Sequence, residues 1–141
     1  MSTQENKALV YAFAERINAK DLEAALTLVS PSHIEHGPHP GLSSGAEAVR
    51  AFFSLLLAGF PDARTTILDT IAEGDKVVIR ALIEGTHTGP FMGVPPTGRH
   101  AQWSLIDIHR LADGKIVEHW VQVDTMGLMQ QLGLVPPPLG R

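Results

Sequence analysis

Carboxylates and imidazoles gather in the last third of this chain, set among apolar residues on stretches that alternate with a period of two. Asp107 and His109 stand two apart, and Glu118, His119 and Asp124 follow a short turn later. Ionisable groups on a half-buried sheet are costly unless they are paired, so this placement points to a pocket built for proton transfer. Asp124 closes the last strand. In an apolar pocket its pKa would rise, and it could then exchange a proton with a carbon acid near neutral pH. It also immediately precedes a helix, where an aspartate serves equally well as the N-cap. Asp107 and His109 share one face with Trp103 and Leu105, and from there could bond a substrate oxygen or orient each other. The structural alternative puts His109 at a wet strand end and pairs Asp107 with an arginine such as Arg80.

The remaining candidates are walls and edges of such a pocket. Trp120 shares a side with Gln122 and Asp124 and offers a flat apolar surface. Val117, His119, Val121 and Val123 fall on the opposite side, where His119 reads as a satisfied interior or interface histidine; a bulge would reverse the assignment. Phe52 from a helix and Phe91 from a Pro/Gly-rich loop complete the wall. His33, His36 and His39 form an H-x2-H-x2-H array, but Pro38 and Pro40 break any helix that would align them, so no metal site is expected. His87 reads as part of a polar turn near the mouth. No G-x-G-x-x-G follows a strand into a helix and no G-x-S-x-G is present, so neither a dinucleotide cofactor nor a serine nucleophile is expected.

These side chains need a scaffold. Ser2 with Glu5 three residues later reads as a capping box, and Leu9, Phe13 and Ile17 give the helix behind it an apolar stripe. Asp21 opens a second helix, Leu22 to Val29, stopped by Pro31. His33 to His36 reads as a short edge strand. A third helix starts at Ser44 or Gly45 and ends near Gly59-Phe60-Pro61. From there the period is two: Arg64 to Ala72, Lys76 to Thr86, Gln102 to Leu111 and Lys115 to Val123 read as strands, followed by a short helix from Met126 to Leu132. Strands joined by short turns run antiparallel, so the class is α+β. Residues 1–135 form one domain in this reading, and Pro136-Pro137-Pro138 opens a short unpacked tail, 136–141.

Composition narrows the partners. The 141 residues carry a net charge of −4 and no cysteine, and 44% of them are hydrophobic. There is no basic footprint for nucleic acid and no basic run for a membrane surface. Cysteine chemistry is excluded outright. The first residues show no basic segment ahead of an apolar run, which makes a cytoplasmic protein the expectation.

The chain resembles the SnoaL-like polyketide cyclases of the NTF2-like superfamily over nearly its whole length. The resemblance is carried by Phe60-Pro61-Asp62, Gly85-Thr86-His87, Pro95-Pro96-Thr97-Gly98, Asp113-Gly114-Lys115-Ile116-Val117-Glu118-His119-Trp120, and Asp124 with Gly127-Leu128-Met129-Gln130-Gln131-Leu132-Gly133. It implies a cone in which a curved, mainly antiparallel sheet wraps over the N-terminal helices. It implies a cofactor-free aldol ring closure of an aromatic polyketide ester, with an aspartate at the end of the last strand, here Asp124, as acid/base. Asp107 and His109 would assist by hydrogen bonds, and Trp120, Phe52, Phe91 and Trp103 would hold the substrate. His36 would sit at the pocket edge, with Glu35 and His39 outside. Association through the sheet follows too, as a homodimer or a tetramer, covering Val117, Val121, Val123, Ile106 and Ile108. The same superfamily hosts isomerases, hydrolases and non-catalytic binders of hydrophobic ligands. Leu105 and Gln122 stand where an epoxide-hydrolase pattern would need charged residues, and the sheet offers no tyrosine for keto-steroid chemistry.

Overall fold

A computed structural model describes residues 1–37 and 45–136. Its elements run α1 (Thr3–Asn18), α2 (Leu22–Leu26), β1 (Val29–His36), α3 (Ala46–Gly59), β2 (Arg64–Glu73), β3 (Lys76–Thr86), β4 (His100–Ala112), β5 (Lys115–Val123) and α4 (Thr125–Gln131). The expected α+β class is found. The expected tail lies outside the described residues beyond Pro136, as does His39 of the histidine array.

Local chemistry accounts for the element ends. The Ser2–Glu5 capping box is closed in both directions, Glu5 N–H donating to Ser2 Oγ at 3.0 Å and Ser2 N–H to Glu5 Oε1 at 2.9 Å. Two otherwise orphaned donors of α1 are thereby satisfied. The second helix ends at Leu26, three residues earlier than its pattern predicts. Thr27 Oγ1 bonds back to the Ala24 carbonyl at 2.7 Å, and the chain turns directly into β1. Pro31 therefore lies inside a strand, which is tolerated because β1 is at the sheet edge.

The five strands are ordered β1-β5-β4-β3-β2. Strands β2 to β5 form an antiparallel meander, while β1 joins β5 in parallel after a connection through α3 and the rest of the sheet. The inner face carries Val77, Ile79, Ala81 and Ile83 from β3 and Ala101, Trp103, Leu105 and His109 from β4, all buried. Helix α1 packs on β2 and β3, α3 on β1 and α4 on β4. Val10, Phe13 and Ile17 of α1 and Val49 and Leu56 of α3 meet that face in one apolar core.

One irregularity decides which side chains reach the core. Leu111 pairs with Ile116 but Arg110 pairs with Glu118, so Val117 is an extra residue in β5. Two residues opposite one shift the alternation by a step. The bulge puts Ile116 and His119 on the same, inner, face.

Candidate active site

Between the helices and the sheet lies a cavity of about 300 Å³. Its wall is apolar for most of its extent, with Phe13, Phe52, Phe53, Phe91 and Trp103 prominent. Its titratable lining groups, among the described residues, are His33, Glu35, Asp107, His109 and His119. No lysine or arginine is among them.

Strand pairing brings these five together. His109 and His119 face each other across β4 and β5, and Glu35 lies beside His119 across the parallel β1–β5 pair. Asp107 is one inward position along from His109. His119 sits between two carboxylates, with Nε2 2.7 Å from Asp107 Oδ1 and Nδ1 2.7 Å from Glu35 Oε2. The other Glu35 oxygen, Oε1, accepts from His33 Nε2 at 3.1 Å. The His109 ring stacks on His119 with centroids 4.7 Å apart, and its Nε2 lies 3.9 Å from Asp107 Oδ2. His109 Nδ1 is buried without a hydrogen-bond partner.

The electrostatics follow from this geometry. Burial alone would push the His119 pKa down, but the hydrogen bonds and charges of Asp107 and Glu35 outweigh it and raise it to about 10. Burial likewise opposes ionisation of Glu35, yet its bonds from His119 and His33 bring it down to about 2. His109 is pushed the other way: burial, reinforced by the charge of His119, lowers it to about 3 and keeps it neutral. Two stacked imidazoles are thus held in opposite protonation states, the arrangement that separates an acid from a base. Asp107, His109 and His119 each present a ligand atom within 4.8 Å of the others, which is metal-site spacing. In this arrangement His119 Nε2 instead faces Asp107 Oδ1 at 2.7 Å, and a metal there would have to displace the proton between them.

The sequence-derived candidates divide between cavity and surface. Asp107, His109, Phe52, Phe91 and Trp103 line the cavity. Asp124 does not: it is exposed and caps α4, its Oδ1 accepting from Gly127 N–H at 2.9 Å. His36 and Trp120 lie on the outer face, stacked at 5.1 Å and 9°, with His36 Nε2 2.7 Å from Glu118 Oε2. The face assignment of β5 is therefore reversed: His119, Val121 and Val123 look inward and Trp120 outward. Val121, expected on an exposed face, is buried. Arg80 pairs with Asp69 at 2.6 Å rather than with Asp107. His87 is no surface turn but fully buried, stacked on Phe60 and bonded through Nδ1 to Thr97. Glu35 and His33 were missed as site residues. The available signal was their spacing of two on the expected strand His33 to His36, which puts both on one face.

A sheet folded over helices around an apolar cavity, with an acid/base cluster at one side, is the build of a small-molecule enzyme. The chain belongs to the SnoaL-like polyketide cyclase family, whose model matches residues 7–132. Nogalonic acid methyl ester cyclase of Streptomyces nogalater is 32% identical over 108 residues, covering 74% of this chain and 76% of that protein. Aklanonic acid methyl ester cyclase DnrD of Streptomyces peucetius is 31% identical over 109 residues, covering 77% and 73%. Among solved structures, AclR of Streptomyces galilaeus, a proposed hydroxylase, superposes with a TM-score of 0.86 at 34% identity over 96% of this chain and 85% of that one. IdmH of Streptomyces antibioticus, a proposed polyketide cyclase, gives 0.80 at 34% over 91% and 98%. No helix among the described residues is long and apolar enough to cross a membrane.

Proposed function

We propose that this protein closes a ring in an aromatic polyketide, taken as its methyl ester, by an intramolecular aldol reaction that needs no cofactor. The observation that carries this reading is the Asp107–His109 pair at the wall of an apolar cavity, Asp107 held by His119. Asp107 Oδ2 takes the proton from a carbon flanked by carbonyls. The resulting enolate carbon attacks a ketone carbon of the same molecule, forming the new C–C bond. The aldolate oxygen then takes a proton back, so the enzyme ends as it began. The 3.9 Å between Asp107 Oδ2 and His109 Nε2 suits an oxygen bonded to both, and His109 in its Nε2–H form stabilises the developing negative charge. Phe52, Phe53, Phe91 and Trp103 bind the flat rings and orient the two reacting carbons.

The test is product formation from a panel of anthraquinone-type polyketide methyl esters, with Asp107→Asn and Asp124→Asn beside the wild type and oxygen uptake followed in parallel. Ring closure that collapses in Asp107→Asn supports the reading. Ester consumption coupled to oxygen uptake without ring closure would place the protein with hydroxylases instead. We further propose a homodimer through the outer sheet face, where Ile34 and Ile106 are about half exposed beside Trp120. Light scattering should return about twice the 15.2 kDa chain mass, and a monomer at micromolar concentration would rule the dimer out.

A further inference from the structure

Glu35 lines the cavity beside Asp107, and both of its oxygens are engaged inside the site. Oε2 accepts from His119 and Oε1 from His33, whose own side chain is only 1% exposed. His33 is in turn set against the Ile116 carbonyl, Nδ1 at 3.4 Å. The result is a chain of contacts running from the β5 backbone through β1 and back through β5 to β4: Ile116, His33, Glu35, His119, Asp107. Resting on the cyclase reading, we infer that Glu35 is a positioning residue for the reaction: through His119 it fixes Asp107, leaving Oδ2 as the atom that takes the substrate's proton.

The geometry forces the role of His119. A neutral imidazole has one N–H and one acceptor nitrogen. Facing carboxylate oxygens at 2.7 Å on both sides, the neutral ring would set a lone pair against one of them. Only the doubly protonated ring satisfies both contacts. If Glu35 is removed, that demand disappears, and His119 needs a single proton, on Nε2, to keep Asp107.

Glu35 also matters during turnover. When Asp107 Oδ2 carries the proton taken from carbon, Asp107 is neutral and no longer balances the His119 cation. Glu35, already bonded to the same ring, continues to do so. The enolate can then develop its charge against His109 without a change in the protonation of His119. The charged and titratable groups facing His119 are accounted for on every element around the cavity: β1 supplies Glu35 and His33, β4 supplies Asp107 and His109, and the described lining residues of α1, α3, β2, β3 and α4 carry none.

The experiment joins imidazole ¹⁵N NMR to kinetics. In wild type, both nitrogens of His119 should stay protonated through pH 8.5, whatever the substrate proves to be. In Glu35→Gln the ring should lose a proton within the neutral range. Its kcat should fall about 10²-fold, the lower end of what a positioned acid or base contributes, while KM stays within about threefold of wild type. The alkaline limb of the kcat profile should move down by several pH units with it. Glu35→Asp, which keeps a carboxylate, should restore part of that limb. A neutral His119 in wild type at pH 8.5, or an unchanged alkaline limb in folded Glu35→Gln, overturns the inference. Because the NMR signal needs no turnover, a wild type that cyclises nothing would defeat the functional reading and leave the control of His119 by Glu35 decided on its own.

Discussion

Asp107 presents its two oxygens to different surroundings: Oδ1 is bonded to His119, while Oδ2 faces His109 at a distance that leaves it open to a third group. Asparagine keeps an acceptor for the His119 proton but cannot take a proton from carbon. Asp107→Asn should therefore fold and lose about 10²- to 10⁴-fold in kcat, the range for a lost general base. Asp124 is the control of the same chemistry in a different place. Its carboxylate caps α4, so Asp124→Asn, which preserves a capping oxygen, should leave turnover unchanged, and Asp124→Ala should cost about 1 kcal/mol of stability by urea unfolding. A collapse of turnover in Asp124→Asn would return the base to the end of β5. From sequence, Asp124 carried both readings at once, because an aspartate before a helix looks the same whether or not a cavity lies beneath it. The pairing of Asp107 with His109 on one face was legible from alternation alone. That His119 joins them was not, since it depends on the single extra residue Val117.

The same cluster ties three strands together, and strand pairing gives its titration a consequence for the fold. Sequence periodicity located β3 and β5 to the residue and β2 and β4 to within two. It could not show that β1 pairs with β5, because that contact closes across most of the chain and leaves no local signature. Glu35 was consequently assigned outside the pocket it helps to build. Its pairing makes stability depend on pH with a definite sign. His119, raised from 6.5 to about 10, contributes stability that is complete below pH 6.5 and is lost as pH rises towards 10. His109, lowered from 6.5 to about 3, contributes above pH 6.5 and loses it as pH falls towards 3. Glu35, lowered from 4.5 to about 2, adds to that acid-side loss below pH 4.5. The urea midpoint should accordingly peak near pH 6.5 and fall on both sides. In Glu35→Gln the alkaline limb should flatten, and the midpoint at pH 7 should drop, because His119 then keeps only its bond to Asp107. A wild-type midpoint that stays level from pH 6.5 to 9 would show that His119 gains no proton on folding.

Taken as a whole, the molecule lines its cavity with apolar side chains, two carboxylates and three imidazoles, and offers no lysine or arginine among the described lining residues. The charges of the site are thus spent on one another before any substrate arrives. A polyketide that entered as a free carboxylic acid would bring a further anion into a space where Glu35 and Asp107 already share the His119 cation. It would be desolvated without a partner, and the effective penalty for such a charge is several kcal/mol even after relaxation. Methylation of the acid removes that charge and leaves a group that the aromatic wall accepts. The ester should therefore bind at least about 100-fold more tightly than the free acid of the same skeleton, since each 1.4 kcal/mol is tenfold in Kd. Calorimetric titration of Asp107→Asn, which still folds but does not consume the ligand, measures both affinities; removing the Asp107 charge should narrow the gap without closing it, because Glu35 and His119 then balance and the acid still lacks a cation. Equal affinities in this variant and in short titrations of wild type would mean that the carboxyl end of the ligand stays in water at the cavity mouth, and that the selection for esters is made by the chemistry rather than by the cavity.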